Sequence, residues 1–447
     1  MSMKRKWLAL FLGLVMLAGW IPASSAAAVT YAELAAYWAP DFYQDTNATY
    51  GYKADYITSF DFDGDWRGNN NWENLDYYPT PGYVYYSVVE TGTHYFIGYY
   101  VFHPRDDGPT VFDKHENDME GLLVVVCKDD SPYGSFQLME TMAHNNWYQY
   151  TNDPNITTGL DNVDGGVLFR GSHPKVFVQA NGQSPWGGHG VYAYDGSGAP
   201  GGDGIVYVYS GVAQAPVSGS GDYTNQYTYT LKNIDELWER RNDIGDGRTF
   251  GRWGAFDGDN YNADAASAPW GWDDGDDGAT FTGDNFADPA HMVDTHLNGL
   301  GAFSHEYVNN SYYTHSVSVV NVTSQANRDP FGGKSDIYAK VMANGHEYTD
   351  DRLWKYNNSA IGARRDVFWG HDHAVDGFQY SSPCNTRFLA KPPGSTVTIE
   401  ILDSDDGSDD SMGSLNVTPA TGQAQAWTDA YTSSSQAQVT ATVSAIR

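Results

Sequence analysis

Short runs of apolar and polar residues alternate through most of this chain, and few are long enough for a helix. Tyr83–Val89, His94–Phe102, Gly121–Cys127, Lys175–Ala180 and Ile205–Tyr209 are rich in aromatic or β-branched residues. Clusters of glycine, proline, asparagine and aspartate separate them. That pattern predicts strands joined by turns, and the spacing favours an antiparallel sandwich over βαβ units. A short helix is predicted over Ala32–Trp38 and another over Ile234–Arg241. Residues 250–300 are rich in glycine, aspartate and tryptophan and carry little periodicity, so they read as long ordered loops.

A second patterned region follows. His315–Thr323 alternates as a half-buried strand. So do Ile337–Val341 and Thr396–Leu402, and each of these two abuts an acidic, glycine-bearing loop. The loops are Asp329-Pro-Phe-Gly-Gly-Lys-Ser-Asp336 and Asp403-Ser-Asp405-Asp406-Gly-Ser-Asp409-Asp410-Ser-Met-Gly413. A hard cation such as Ca²⁺ takes six to eight oxygens, which two carboxylate-rich loops at one end of a sandwich can supply. The competing reading is two solvated acidic loops. The expected fold class is therefore all-β. An N-terminal antiparallel β-sandwich with long loops and few short helices precedes a second, smaller β-sandwich.

The first 28 residues read as a secretory signal. Lys4-Arg5-Lys6 is a basic start, Trp7 to Trp20 is apolar, and Ala23–Ala28 offers small-residue cleavage sites. No later stretch approaches about twenty apolar residues, so no transmembrane segment is expected in the mature chain, which is expected to be secreted and extracellular. The full chain carries a net charge of -31. Cleavage removes three cationic side chains and makes it more negative. Such a chain is repelled by nucleic acid, and by anionic lipid unless cations intervene. Cys127 and Cys384 permit one disulfide but exclude a disulfide-rich scaffold.

Candidate chemistry in the large domain centres on Lys114-His115-Glu116-Asn117-Asp118-Met119-Glu120-Gly121, at the start of the Gly121–Cys127 strand. Asp118 and Glu120 lie two apart, so in extended chain they share a face. His115 reaches them if a turn folds it back. Two carboxylates and an imidazole suit either a divalent metal or acid/base work. The oxygen-rich set favours Ca²⁺ or Mg²⁺ over zinc. Weaker candidates surround it. His173 and His189 read as loop-stabilising histidines before ligands, and His144 reads as one that caps a strand. His371-Asp-His373 has metal-like spacing without further partners. Asp61, Asp63 and Asp65 begin like an EF-hand loop but lack its closing glutamate.

Two resemblances sharpen these expectations. Residues 315–447 resemble a C2 domain, through the strand at His315–Thr323, the Gly-Lys-Ser-Asp336 turn and the Asp-x-Asp loop ending in Met412-Gly413. By position that resemblance implies Ca²⁺ ligands at Asp329, Asp336, Asp403, Asp405 and Asp410. Residues 29–305 resemble the necrosis- and ethylene-inducing (NPP1-type) proteins and the related Vps62-like proteins. The shared motif is His115-x-x-Asp118-x-Glu120, and the resemblance implies an upstream aspartate, Asp107 or Asp106, completing a Ca²⁺ or Mg²⁺ site. Met142-Ala-His144-Asn-Asn-Trp147, Gly171-Ser-His173-Pro174, His189-Gly-Val-Tyr192, Gly251-Arg-Trp-Gly254 and Ala268-Pro-Trp-Gly271 extend it.

Three function classes are compatible with these readings. The first is a secreted metal-binding protein, of the effector or cytolysin kind, that meets a membrane phospholipid or glycan surface in a calcium-dependent way. The second is a metal-dependent hydrolase of phosphoester or polysaccharide substrates. There Asp118 or Glu120 activates a metal-bound water, and His144 or His189 serves as proton donor. The third is a calcium-stiffened structural protein. Fold alone does not choose among them.

Overall fold

A computed structural model describes residues 29–144, 146–182, 188–252, 254–272, 286 and 288–312 in full. Between residues 315 and 445 it describes strand backbones. The chain is all-β. Helix α1 (Tyr31–Trp38) opens it, one residue from the predicted start. Its N-terminus is closed by a capping box: Thr30 Oγ1 accepts from the Glu33 amide at 3.2 Å, and the Glu33 carboxylate accepts from the Thr30 amide at 2.9 Å. Leu34, Ala35 and Trp38 then face the core.

The strands that follow are β1 (Asp41–Asp45), β2 (Gly82–Thr91), β3 (His94–Asp106), β4 (His115–Cys127), β5 (Ser135–Ala143), β6 (Asn146–Thr151), β7 (Val163–Gly165), β8 (His173–Val178), β9 (Val191–Ala193), β10 (Gly204–Tyr209) and β11 (Asn225–Asn233). They form one sheet in the order β9-β8-β1-β10-β11-β2-β3-β4-β5-β6-β7. The sheet curls, so that Gly190, just before β9, packs on Ala143 at the end of β5. The antiparallel expectation holds for the central hairpins. Four pairings among these described strands are parallel instead: β1 with β8, β10 with β11, β11 with β2, and β6 with β7. The connections 152–162 and 210–224 supply the crossovers between the consecutive parallel pairs β6–β7 and β10–β11.

The centre of the sheet is buried on both faces. One side of β3 and β4 carries Ile97, Tyr99, Val101, Leu122, Val124 and Val126, enclosed by the curl and by α1. The other side is covered by the aromatic, glycine-rich segment that lacked periodicity. Phe60, Phe102, Phe250 and Phe256 pack together there. Tyr100 meets Trp272 and Phe286 edge-on, with ring centroids at 5.8 and 5.0 Å. Segments 250–272 thus act as a second wall without being strands, since large aromatic rings bury area from irregular backbone as well as from regular.

Two helical expectations change. The helix predicted over Ile234–Arg241 is one turn, Asp235–Trp238. A further helix, α2 (Pro289–His296), begins at an Asp288-Pro289 pair, with proline in the first turn where its missing N–H costs nothing. Among the described residues no helix is long and apolar enough to cross a membrane.

The large sheet does not stop at residue 305. Tyr307–Asn309 pairs with β2, and Tyr312 is buried with its hydroxyl 2.9 Å from that of Tyr100. The described strands from His315 onward pair with one another in two further sheets. In one of them Ile337 stands opposite Asp403, and Asp403 opposite Asp410. The strand ends that carry the two acidic loops therefore share one end of that sheet. Residues 1–28, Asp329, Asp336, Asp405, the His371-Asp-His373 pair and Cys384 lie outside the described residues, as do the side chains of Asp403 and Asp410. Cys127, at the end of β4, is part-buried.

Candidate functional site

The His115–Glu120 motif lies inside β4 rather than at its entrance, because the strand begins six residues earlier than the apolar run. The strand keeps its ladder with β3 in unbroken register. His103 pairs with Asp118 and Arg105 with Glu116, while Asn117 takes a left-handed φ of 59°. Asparagine tolerates that conformation better than most residues. Its side chain is fixed outward: Nδ2 donates to the Gly68 and Asp257 carbonyls at 2.7 Å each, and Oδ1 accepts from Asn71 at 2.6 Å. Across this left-handed residue His115 comes close enough to Asp118 to interact with it electrostatically.

Asp106, His115, Asp118, Glu120, Met142, His144 and Arg252 line one cavity of about 190 Å³. Asp106 comes from the end of β3, and His144 from the β5–β6 turn. Asp107 points elsewhere: it is paired with Lys114 at 2.7 Å, and its amide donates to Asn181. The upstream aspartate at the cavity is thus Asp106.

Charge inside the site is arranged in pairs. His189 is fully buried and places Nδ1 2.7 Å from Asp118 Oδ2, with Nε2 3.7 Å from Asp55 Oδ1. Burial opposes charge on this ring, but its bonds to Asp118 and Asp55 outweigh that and hold it up to about 10. His103 stacks on it at 3.6 Å. Burial, and then the neighbouring imidazolium, push His103 well below its ordinary value, so the stack joins one neutral and one charged ring. Burial also opposes charge on His115, whose Nε2 lies 3.4 Å from Asp106 Oδ2. Asp106 and Asp118 outweigh it and raise the ring to about 9. Asp118 is held down, despite burial, by His189 and then His115. Burial, reinforced by Asp118, pushes Glu120 well above the usual carboxylate range.

Two buried oxygens in this cavity have no hydrogen-bond partner, Asp106 Oδ1 and Glu120 Oε2. Buried polar atoms left without partners are uncommon and costly. The donor chemistry fits a hard divalent cation. His115 Nδ1 stands 2.9 Å from the Asn117 carbonyl, which only accepts, so Nδ1 carries the proton and Nε2 is the nitrogen directed to the cavity. A backbone carbonyl behind one ring nitrogen is the usual support for a metal-ligating histidine. Among the described residues no three His, Cys, Asp or Glu groups are already gathered at ligand spacing. The carboxylates stand where their histidine partners hold them.

The remaining candidates have local occupations. His144 donates its amide to Glu120 Oε1 at 3.2 Å and places Nε2 3.0 Å from Gln179 Oε1. His173 Nδ1 bonds the Ala39 carbonyl at 2.6 Å. Asp63 and Asp65 accept from backbone amides of their own loop and from Asn74 and Asn70, and Asp61 meets Lys232. Sequence reasoning missed Asp55, His103 and Arg252. Asp55 and His103 are isolated in sequence. Arg252 lies within the Gly251-Arg-Trp-Gly254 motif, which marked the place but not the role.

No family model matches the chain, and no curated protein matches it. Solved structures share part of it. The chain is 14% identical to a structure described as a toxin fold for microbial attack and plant defence, over 34% of this chain and 52% of that one, with a TM-score of 0.21. It is 19% identical to the non-toxic HaNLP3 protein, over 27% of this chain and 48% of that one, with a TM-score of 0.20. It is 10% identical to a C2 domain of plant extended synaptotagmin 1, over 30% of this chain and 95% of that domain, with a TM-score of 0.21. The chain spans about half the length of the first two structures.

Proposed function

We propose that this is a secreted, divalent-cation-dependent binding protein that captures a lipid headgroup or glycan at the cavity beside β4. Asp106, His115, Asp118 and Glu120 hold Ca²⁺ or Mg²⁺ there. The strands after His315 form a C2-like unit that adds a second, calcium-dependent contact through Asp329, Asp336, Asp403, Asp405 and Asp410.

The observation that carries this reading is the pair of buried, partnerless oxygens on Asp106 and Glu120, facing a cavity that also contains Asp118 and His115. A bound cation satisfies both and offsets the mutual repulsion of three carboxylates. Asp106, Asp118, Glu120 and Nε2 of His115 would hold the cation, and His189 would keep Asp118 oriented. When bound, the cation supplies a positive centre that polarises and orients an oxygen of the ligand. Without cations, a chain of net charge -31 is repelled from anionic surfaces.

The test is a metal-content measurement on the mature chain, joined to vesicle and glycan pull-downs with Ca²⁺, with Mg²⁺ and with EDTA. Stoichiometric metal and cation-dependent retention are expected. Turnover of a phosphodiester or glycoside panel, abolished by EDTA, would move the assignment to a hydrolase. A fall in melting temperature with EDTA, with neither retention nor turnover, would reduce the cations to a structural role.

A further inference from the structure

The cavity holds one cationic side chain that the carboxylates do not use. Arg252 is solvent-exposed and lines the same space as Asp106, Asp118 and Glu120. Among the described residues, no hydrogen bond or ion pair engages its guanidinium. Five other arginines of the large-sheet unit are occupied, while Arg67, which is also unengaged, lies outside the cavity lining. Arg170 forks onto Asp41, Arg240 and Arg248 meet Asp243, Arg105 bonds the Tyr50 carbonyl, and Arg241 bonds that of Trp238.

Gly251 and Gly254, close to Arg252 in sequence, are tightly placed. A Cβ at Gly251 would lie 2.1 Å from Asp264 Oδ1, and Gly254 has a φ of +77° against Gly271. The Gly251 amide donates to the Ala255 carbonyl at 3.2 Å, and the Gly254 carbonyl accepts from Ala268 at 2.8 Å. A partnerless guanidinium thus lines the same cavity as three carboxylates. An arginine free to relax among carboxylates pairs with one of them.

We infer that Arg252 is the anion-binding half of this site, and that the ligand carries an oxyanion, phosphoryl or carboxylate, spanning the cation and the guanidinium. The inference rests on the cation-binding reading above and names the ligand class for it. The guanidinium fork matches the paired oxygens of phosphate and carboxylate. A cavity of about 190 Å³ admits a single charged headgroup or acidic sugar ring, and it is smaller than the pockets of roughly 300 Å³ and above that enclose larger ligands. Two sources offer this chemistry: a membrane phospholipid, or a soluble phosphate or uronate.

The test uses the full mature chain. Inorganic phosphate, glucuronate and neutral glucose are titrated calorimetrically with Mg²⁺ or Ca²⁺ present and with EDTA. Cosedimentation is measured with phosphatidylcholine vesicles, with and without phosphatidic acid. Phosphate or glucuronate should bind only with the cation present. Arg252→Ala and Arg252→Gln should weaken that binding about 10- to 100-fold, the range for one charge-assisted bond. Arg252→Lys should recover part of it. Cation affinity measured without any anion should not fall in any of the three, because removing a nearby positive charge does not weaken a cation site, which separates this inference from the cation site itself. Vesicle binding that needs phosphatidic acid and is competed by phosphate identifies a lipid source. Phosphate or glucuronate binding without vesicle binding identifies a soluble one. The inference is overturned if the cation binds but no anion follows it, if glucose binds as well as glucuronate, or if Arg252→Ala binds the anion as the parent does. A chain that takes up no cation fails the underlying reading and this one together.

Discussion

Nδ1 of His189 lies 2.7 Å from Oδ2 of Asp118, across 71 positions of sequence and with the imidazole fully buried. This contact ties the segment before β9 to the start of β4, where Asp118 lines the cavity. It also fixes one oxygen of Asp118, which sets how the carboxylate faces the other ligands.

Removing one member of that pair leaves the other charge buried and unmatched. His189→Leu should therefore lose about 3–5 kcal/mol in urea unfolding. The double variant His189→Leu with Asp118→Asn should recover part of the loss. Additive losses would show that the two side chains do not interact as the geometry indicates.

His94 sets an acid limit on stability. Burial pulls its ring down to about 4, below the roughly 6.5 expected in an unfolded chain. The unfolded chain therefore takes up the proton first. The contribution is complete above about pH 6.5 and drains away as pH falls toward 4. The ring packs on Phe303 with centroids at 4.5 Å, so phenylalanine fits the site. His94→Phe should show a shallower fall of melting temperature between about pH 6.5 and 4. An unchanged slope would assign the acid sensitivity to other groups.

The extent of the N-terminal unit is testable by truncation. A chain ending at residue 312 keeps Tyr307–Asn309 on β2 and Tyr312 against Tyr100. One ending at residue 305 loses both. The shorter chain should be less stable by at least about 3–5 kcal/mol, the usual result of deleting one buried large aromatic side chain. Equal melting temperatures would place the end of the unit before residue 305.

The second acidic pair of loops makes a separate claim. In a chain beginning near residue 313, Ca²⁺ at about 10⁻⁴–10⁻³ M should raise the melting temperature. Asp403→Asn together with Asp405→Asn should abolish the rise. Identical melting of the parent in Ca²⁺ and EDTA would remove this site from the account.

The strands were legible because they are short runs rich in aromatic and β-branched residues bounded by turn residues, a signal that survives burial of both faces. His94–Phe102 and Ile205–Tyr209 both lie within observed strands. Segment 250–272 was not, because its tryptophans and phenylalanines cover the second face from turns, and turns impose no period. The same physics hid the true start of β4. His115, Glu116 and Asp118 read as a polar loop, yet each is stabilised in the strand by a specific partner: the Asn117 carbonyl, the Trp72 and Asp259 amides, and His189. The motif residues were visible as a motif. Asp55, His103 and Arg252 join them only through long-range folding, which no local spacing records.

The most direct test of the central claim is metal content and cation affinity of Asp118→Ala beside the parent and Asp403→Asn. Asp118→Ala removes one ligand and frees His189 from its partner, so the β4 cavity should lose its divalent cation while the C-terminal calcium response persists. Asp403→Asn should show the reverse. An Asp118→Ala chain that folds and retains the parent's full metal stoichiometry and affinity would contradict the account, and would leave His115, Asp118 and Glu120 as a polar cluster that merely holds the start of a strand.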